Sequence, residues 1–309
     1  MPTRAGNSPA RDSLGRENLA HSATACALLP VFLVGCVGLL APPALAADSG
    51  SVPLRVEADG ILSVSAFVNG AGPFNLLLDT GASRTLLTAG VARRLHLAPV
   101  AKSALVSPAT SELRGVVRLD EVKLGNVVKR NLLVAVVDNA ELEEVGEKFQ
   151  GILGQDFLLD RDYTLDYEHR RLIWGASADE QTVDARLDLK EDEGRWLAAL
   201  PQADHGTVLW FVPDSGAATL VVFDQGTPLT LPVLPMPSMS EVTTLAGSRR
   251  AKQVRIVTLM IGSAAICDRP ALVMERRAVK AAGDGLLPLS MFASVSFHAM
   301  ERSLVLRLR

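Results

Sequence analysis

Aromatic side chains are scarce in this chain, at 5% of 309 residues, and cysteine is scarcer still. Of its 3 cysteines, Cys26 and Cys36 fall in an N-terminal apolar stretch and only Cys267 lies beyond it. A disulfide needs two thiols, so the chain after that stretch is held together by packing alone. Cys267 itself reads as a half-buried strand residue. The net charge is −3, with no basic stripe and few rings for bases to stack on, which excludes nucleic acid as a partner. His-Glu-x-x-His, Gly-x-Ser-x-Gly and Cys-x-x-Cys are all missing, and His96, His169, His205 and His298 are scattered. Nothing therefore points to a zinc centre, a serine nucleophile or a redox pair, and no metal or organic cofactor is implied.

What the chain does have begins with its leader. Arg4, Arg11 and Arg16 precede an apolar stretch from Ala23 to Leu45, then the small-x-small site Ala44-Leu45-Ala46, then Asp48-Ser49-Gly50. This order reads as an export signal over residues 1–47, cleaved after Ala46 or Ala47, which implies a periplasmic or secreted protein. Pro30, Pro42 and Pro43 interrupt the apolar run and favour cleavage over a membrane span. Two alternatives would instead tie the protein to the envelope. The leader, which is long and carries Asp12 and Glu17, could stay attached, or Cys36 in Leu33-Val34-Gly35-Cys36 could be lipidated.

Beyond the leader one phrase is written twice: Asp79-Thr80-Gly81-Ala82 and Asp214-Ser215-Gly216-Ala217. Each follows an apolar run, Phe74–Leu78 in one case and Val208–Pro213 in the other. Strands disfavour Asp, and an ionised carboxylate taken out of water needs compensation. The same cost in two matching contexts suggests two aspartates that meet, and facing carboxylates share one proton because both cannot ionise at such range. Gly151-Ile152-Leu153-Gly154-Gln155-Asp156 lies 72 residues after Asp79, and Gly285-Leu286-Leu287-Pro288-Leu289-Ser290 lies 71 after Asp214. Leu124-Gly125 and Ile261-Gly262 add a third mark, and Tyr163–Trp174 matches Val295–Leu306 as a closing segment. A period this long is two homologous lobes, not a solenoid.

The remaining pattern is of short apolar or alternating runs bounded by Gly, Pro, Asn and Asp, among them Leu62–Val68, Phe74–Leu78, Leu132–Val137 and Val254–Ile261. This predicts an all-β fold. Two helices interrupt it: Ala89–Leu95, capped by Thr88, and the acidic Glu141–Phe149. The expected layout is a lobe over residues 48–178 and a second over 179–309, with the boundary in the polar stretch Gly175–Asp184. Asp156 and Asp166 read as surface or turn residues.

The doubled Asp-(Thr/Ser)-Gly-Ala after an apolar strand, with Ile152-Leu153-Gly154 behind the first copy, resembles the aspartic peptidases, in particular their retropepsin-like branch in bacterial exported proteins. The resemblance covers most of residues 51–309. It implies two retropepsin-like β-barrel lobes with a cleft between them and Asp79 and Asp214 as a catalytic pair that activates water to hydrolyse a peptide bond. It further implies that Thr80 and Ser215 lock the two loops together through their hydroxyls. Gly81 and Gly216 would hold the carboxylates through their N–H groups, Ala82 and Ala217 would lie beneath the substrate, and Gly154 would let its strand pass behind the first loop. The segments 100–115 and 235–253 hold the place of the family's flap. With both halves of the pair in one chain, a monomer is complete, and the partner is a peptide or protein substrate. The sequence departs from the pattern at Pro288, where the first half has Gly154, and at Pro213, which puts a residue without N–H into an interior strand. Those two prolines leave open a catalytically degenerate peptide-binding module on the same fold.

Overall fold

A period of two in side-chain burial organises the structure, as the side chains of a strand point alternately to its two faces. In the strand Leu62–Val68 the side chains of Leu62, Val64, Ala66 and Val68 are buried, while Ser65 and Phe67 face outward. In Ala185–Asp192, Ala185, Leu187 and Leu189 are buried and Arg186, Asp188 and Lys190 exposed. The two strands that lead into the repeated motif differ. Leu76, Leu77 and Leu78 are buried in succession, as are Phe211, Val212, Pro213 and Asp214, the mark of strands covered on both faces.

A computed structural model describes residues 50–106, 111–143, 149–175, 183–202, 206–224, 231–244, 247–275 and 283–309. The leader, with Cys36 and the Ala44-Leu45-Ala46 site, lies outside these residues, as does most of the expected boundary stretch. The fold is all-β. An eight-stranded sheet gathers the first half, and a thirteen-stranded sheet continues from the strands that close the first half into the whole of the second. Among the described residues the helices are short: Ala89–Arg94, Asn139–Glu143 and Gln155–Leu158. The first starts where expected, with Thr88 Oγ1 accepting from the N–H of Val91. Only the start of the second expected helix is described. The third, directly after Gly154, was not anticipated, because four residues are too few to show a helical period.

Strand pairing repeats between the halves. Ala71–Leu78 runs parallel to Gly151–Leu153, with Leu76 opposite Gly151, and Val208–Asp214 runs parallel to Gly285–Pro288, with Phe211 opposite Gly285. In each half a short strand then pairs antiparallel to that same segment, Leu86 opposite Ile152 and Val221 opposite Leu286. It pairs parallel to a further strand on its other side, Leu86 opposite Ala135 and Val221 opposite Leu272. Both segments expected as flaps are β-hairpins: Pro99–Val106 with Ser111–Leu124, and Val233–Thr244 with Gly247–Ile261.

The halves are joined through their closing segments. Tyr163–Asp166 pairs antiparallel with Phe292–His298, and Thr164 sits opposite Ser296, its Oγ1 2.8 Å from the serine Oγ. The sequence repeat aligns these same two residues, so they face each other as residues beside a local two-fold axis must. Tyr163 stacks on Phe297 at 4.6 Å. One core cluster includes Phe74, Leu78, Phe157 and Tyr163 from the first half and Phe211, Leu287, Phe292 and Phe297 from the second.

Two expectations need correction here. Cys267 is exposed, because Ile266 takes the inward position and strand alternation turns its neighbour out. Asp166 is 5% exposed: its carboxylate accepts the backbone N–H of His169, and His169 Nδ1 and Arg171 Nε lie at 2.8 and 3.0 Å. Burial alone would raise its pKa, but these donors hold it below the ordinary carboxylate range.

Gly285, paired in parallel with Phe211 and antiparallel with Val222, has no room for a side chain. A Cβ on Gly285 would lie 2.1 Å from the carbonyl oxygen of Val221 and 2.4 Å from the Phe211 ring. Gly285→Ala is expected to cost about 3 kcal/mol of stability by overpacking, read as a lowered denaturation midpoint in urea. An unchanged midpoint would contradict this packing.

Candidate active site

Both apolar strands end at the place where the halves meet, and each delivers an aspartate there. Asp79 follows Leu78, and its N–H donates to the carbonyl of Leu153 at 3.1 Å. Asp214 closes the strand Val208–Asp214, opposite Pro288. Gly81 and Ala82 donate their N–H groups to Asp79 Oδ1 at 2.8 and 3.0 Å, and Gly216 donates to Asp214 Oδ1 at 2.8 Å. Each glycine also faces the opposite carboxylate. A Cβ on Gly81 would lie 2.5 Å from Asp214 Oδ2, and one on Gly216 would lie 2.8 Å from Asp79 Cγ. The absence of those two side chains is what allows the carboxylates to come together.

The loops are fastened across the interface by their hydroxyl residues. Thr80 Oγ1 donates to the carbonyl of Pro213 at 2.7 Å and accepts the N–H of Ser215 at 3.0 Å. Ser215 Oγ donates to the carbonyl of Leu78 at 2.7 Å and accepts the N–H of Thr80 at 3.0 Å. Thr80 and Ser215 are buried, at 0% and 1% exposure. Each hydroxyl both donates and accepts, so each satisfies one carbonyl and one N–H of the opposite half's backbone. Pro213 contributes its carbonyl to this lattice.

The carboxylates are close enough to share a hydrogen bond. Burial raises the pKa of Asp79, opposed by the N–H groups of Gly81 and Ala82, by Asp214 and by the positive charge of Arg195. Asp214 is raised further, well above the ordinary range, by burial and then by the charge on Asp79. Surface geometry agrees with the order, since Asp214 is 7% exposed and Asp79 is only half-buried. Both acids are thus raised, and the pair holds one proton above the ordinary carboxylate range. Behind it, the phenol of the buried Tyr167 is pushed up by burial and by the Asp214 charge. Ala82 and Ala217, both partly exposed, stand beside the loops.

Gly154 is placed as expected, and for a steric reason: a Cβ there would lie 2.7 Å from the Arg84 carbonyl and 2.9 Å from that of Ala82. Its N–H donates to Thr85 Oγ1 at 3.2 Å, and that hydroxyl donates to Asp156 Oδ1 at 2.6 Å. Asp156 is thus not a free surface or turn residue. It also accepts the N–H of Thr85, and burial raises its pKa against those bonds. The second half replaces the set with Leu220, Pro288 and Ser290, so the proline N–H is absent where its partner hydroxyl is absent too. Sequence reasoning missed Thr85, Gln155 and Arg195. Gln155 is fully buried and donates Nε2 to the carbonyl of Thr80 at 2.9 Å, a role that neither its type nor its spacing signals.

Residues 64–157 match the family model described as aspartyl protease, a stretch that contains Asp79 and Gly154 and ends before Asp214. No curated protein matches the chain.

The hydroxyl lattice and the raised carboxyl make separate predictions. Thr80→Val leaves the Ser215 N–H and the Pro213 carbonyl buried without their partner, a loss of about 2–6 kcal/mol at roughly 1–3 per group. Thr80→Ser should restore most of it in the same denaturation assay. For Asp214, a folded-state pKa above the unfolded value means its stability contribution is full below the ordinary carboxylate range, near about 4, and is lost as pH rises through the raised value. Asp214→Asn should therefore raise the melting temperature at pH 7, and the gain should shrink as pH falls towards the ordinary carboxylate range. A gain that grows towards low pH would reverse the assignment.

Proposed function

We propose, from the match of residues 64–157 to the aspartyl protease family model and from the geometry of the acids, that this chain is an aspartic endopeptidase whose Asp79 and Asp214 share one proton and activate a water between them. The observation that carries the reading is the pair itself: two carboxylates from separate halves meet, Asp214 buried and Asp79 half-buried, locked by reciprocal Thr80 and Ser215 hydrogen bonds. A purely structural role gives no reason to spend two desolvated acids on one spot.

Amide hydrolysis without a covalent intermediate needs a base for the water and an acid for the carbonyl and leaving amine. The ionised member of the pair is the base for the water. The protonated member polarises the carbonyl, and the pair returns a proton to the amine. The two titrate jointly, so apparent pKa values belong to the pair. An extended peptide would bind by strand-like hydrogen bonds. We assign the covering role to the hairpins Pro99–Val106/Ser111–Leu124 and Val233–Thr244/Gly247–Ile261. Their arms carry uncovered apolar side chains such as Leu113, at 74% exposure, and Met239. With both acids in one chain, the unit of function is a monomer. Its leader sends it to the periplasm or beyond, unless the leader or Cys36 keeps it on the envelope. Among the described residues no helix is long and apolar enough to cross a membrane.

The test is cleavage of a mixed peptide library by residues 48–309 from pH 3 to 8, with and without a statine-type mimic. Activity should fall on both sides of an optimum, on the acid side as the pair takes a second proton and on the alkaline side as it loses its last. Asp79→Asn and Asp214→Asn should each lower kcat/KM by about a thousandfold or more without unfolding the protein. Substantial activity in either variant would sink the two-aspartate mechanism. Folded protein that binds peptides and cleaves none would establish the peptide-binding module instead.

A further inference from the structure

The repeat is close enough that its breaks can be located, and one break lies beside the acid pair. Two hairpin turns correspond, Asp59-Gly60 and Glu193-Gly194, with positive φ at each of these residues: 60° and 81° in the first, 50° and 76° in the second. The second is a tight two-residue turn between Asp192 and Arg195, the first a three-residue turn between Glu57 and Ile61, and both close through the left-handed region. The ladders that follow agree in register, Val64 opposite Leu76 and Ala198 opposite Phe211. The residue after each turn is therefore the same structural position. In the first half it is Ile61, packed on the apolar cluster of Leu77, Leu86, Ile152 and their neighbours. In the second half it is Arg195.

Arg195 stands between the two acid loops. The second ladder ends at Ala198 opposite Phe211, and three residues further along the two strands lie Arg195 and Asp214. The preceding Gly194 abuts the first loop, where a Cβ would lie 3.6 Å from Ser83 Cβ. The guanidinium lowers Asp79 by its charge. Its Nε is buried and has no hydrogen-bond partner. Its cross-strand neighbour Asp192 is exposed, and among the described residues no ion pair engages Arg195. A desolvated donor left unpaired is costly, and a planar fork of N–H groups suits a carboxylate. The side chain is only partly buried, so a bound chain can reach it.

We propose that Arg195 is a specificity-determining residue that receives the carboxylate of an acidic side chain on one side of the scissile bond. The counterpart position, Ile61, offers an apolar surface instead. The substrate class is then an extended peptide with a Glu or Asp near the cleaved bond at a single position, not symmetrically about it. This rests on the peptidase reading for the location of the bond, but on binding alone for its chemistry.

The experiment uses residues 48–309 and a panel of reduced-amide peptides of one apolar core sequence. Glu, Gln or Lys is placed in turn at each position within three residues of the amide, and the Kd is measured by competition with a labelled peptide. At one position Glu should bind about tenfold more tightly than Gln, and Lys more weakly than either. Arg195→Gln should bring the Glu-to-Gln ratio to about one, while Arg195→Lys should keep part of it. Arg195→Ile, which copies the first half, serves as the second variant if the amide variant does not fold. Equal binding of Glu and Gln at every position, or a preference that survives loss of the charge, would overturn the proposal. If cleavage of neutral peptides persists in that case, only this inference falls. If no peptide is bound or cleaved, both readings fall together.

Discussion

Everything at this site depends on one electrostatic constraint: two carboxylates have been brought out of bulk water to the same spot. Like charges at such range cannot both ionise, and burial penalises each of them separately. The pair persists because the backbone around it is fixed independently. Four hydrogen bonds between Thr80, Ser215 and the chain on either side tie the loops together without using the acids. The acids are then positioned by the N–H groups of Gly81, Ala82 and Gly216. The fastening of the loops is thus separated from the acids, which carry no load that holds the halves together.

The same constraint explains the glycines and the strand order. Parallel pairing of each incoming strand with Gly151–Leu153 or Gly285–Pro288 fixes where the chain must turn. At those turns the opposite half is so close that any Cβ would meet a carboxylate. The antiparallel pairing of the closing segments about Thr164 and Ser296 sets the second contact between the halves. With the loops fastened at one place and the closing strands at another, little freedom is left to separate the acids.

Symmetry is followed at the acids and abandoned around them. Thr85, Gly154 and Asp156 form a polar set in the first half, and Leu220, Pro288 and Ser290 stand in their places. Pro213, which looks like a defect in the motif, lends its carbonyl to the hydroxyl lattice, and Pro288 aligns with Gly154 in a half where Leu220 replaces the aligned hydroxyl residue Thr85. Ile61 and Arg195 diverge in the same manner, one apolar and one charged. A single chain can differentiate its halves this way, since the sides of the pair are no longer copies.

Sequence alone determined the duplication, the all-β pattern, the first helix with its Thr88 cap, and the acids with their attendant hydroxyls and glycines. These are local regularities: a period of two, a tight turn, a phrase repeated at constant spacing. It misjudged Asp156, Asp166 and Cys267, and it was silent on Gln155 and Arg195. Each of these depends on a partner distant in the chain, or on which face of a strand happens to be covered. Thr85 lies 71 residues from Asp156, and nothing in either neighbourhood advertises the other. The upward shift of both acids, the use made of the Pro213 carbonyl and the unpaired guanidinium of Arg195 were likewise decided only by tertiary structure. Burial and long-range hydrogen bonding are properties of the assembled fold, and a residue's type fixes what it can donate or accept but not what it meets.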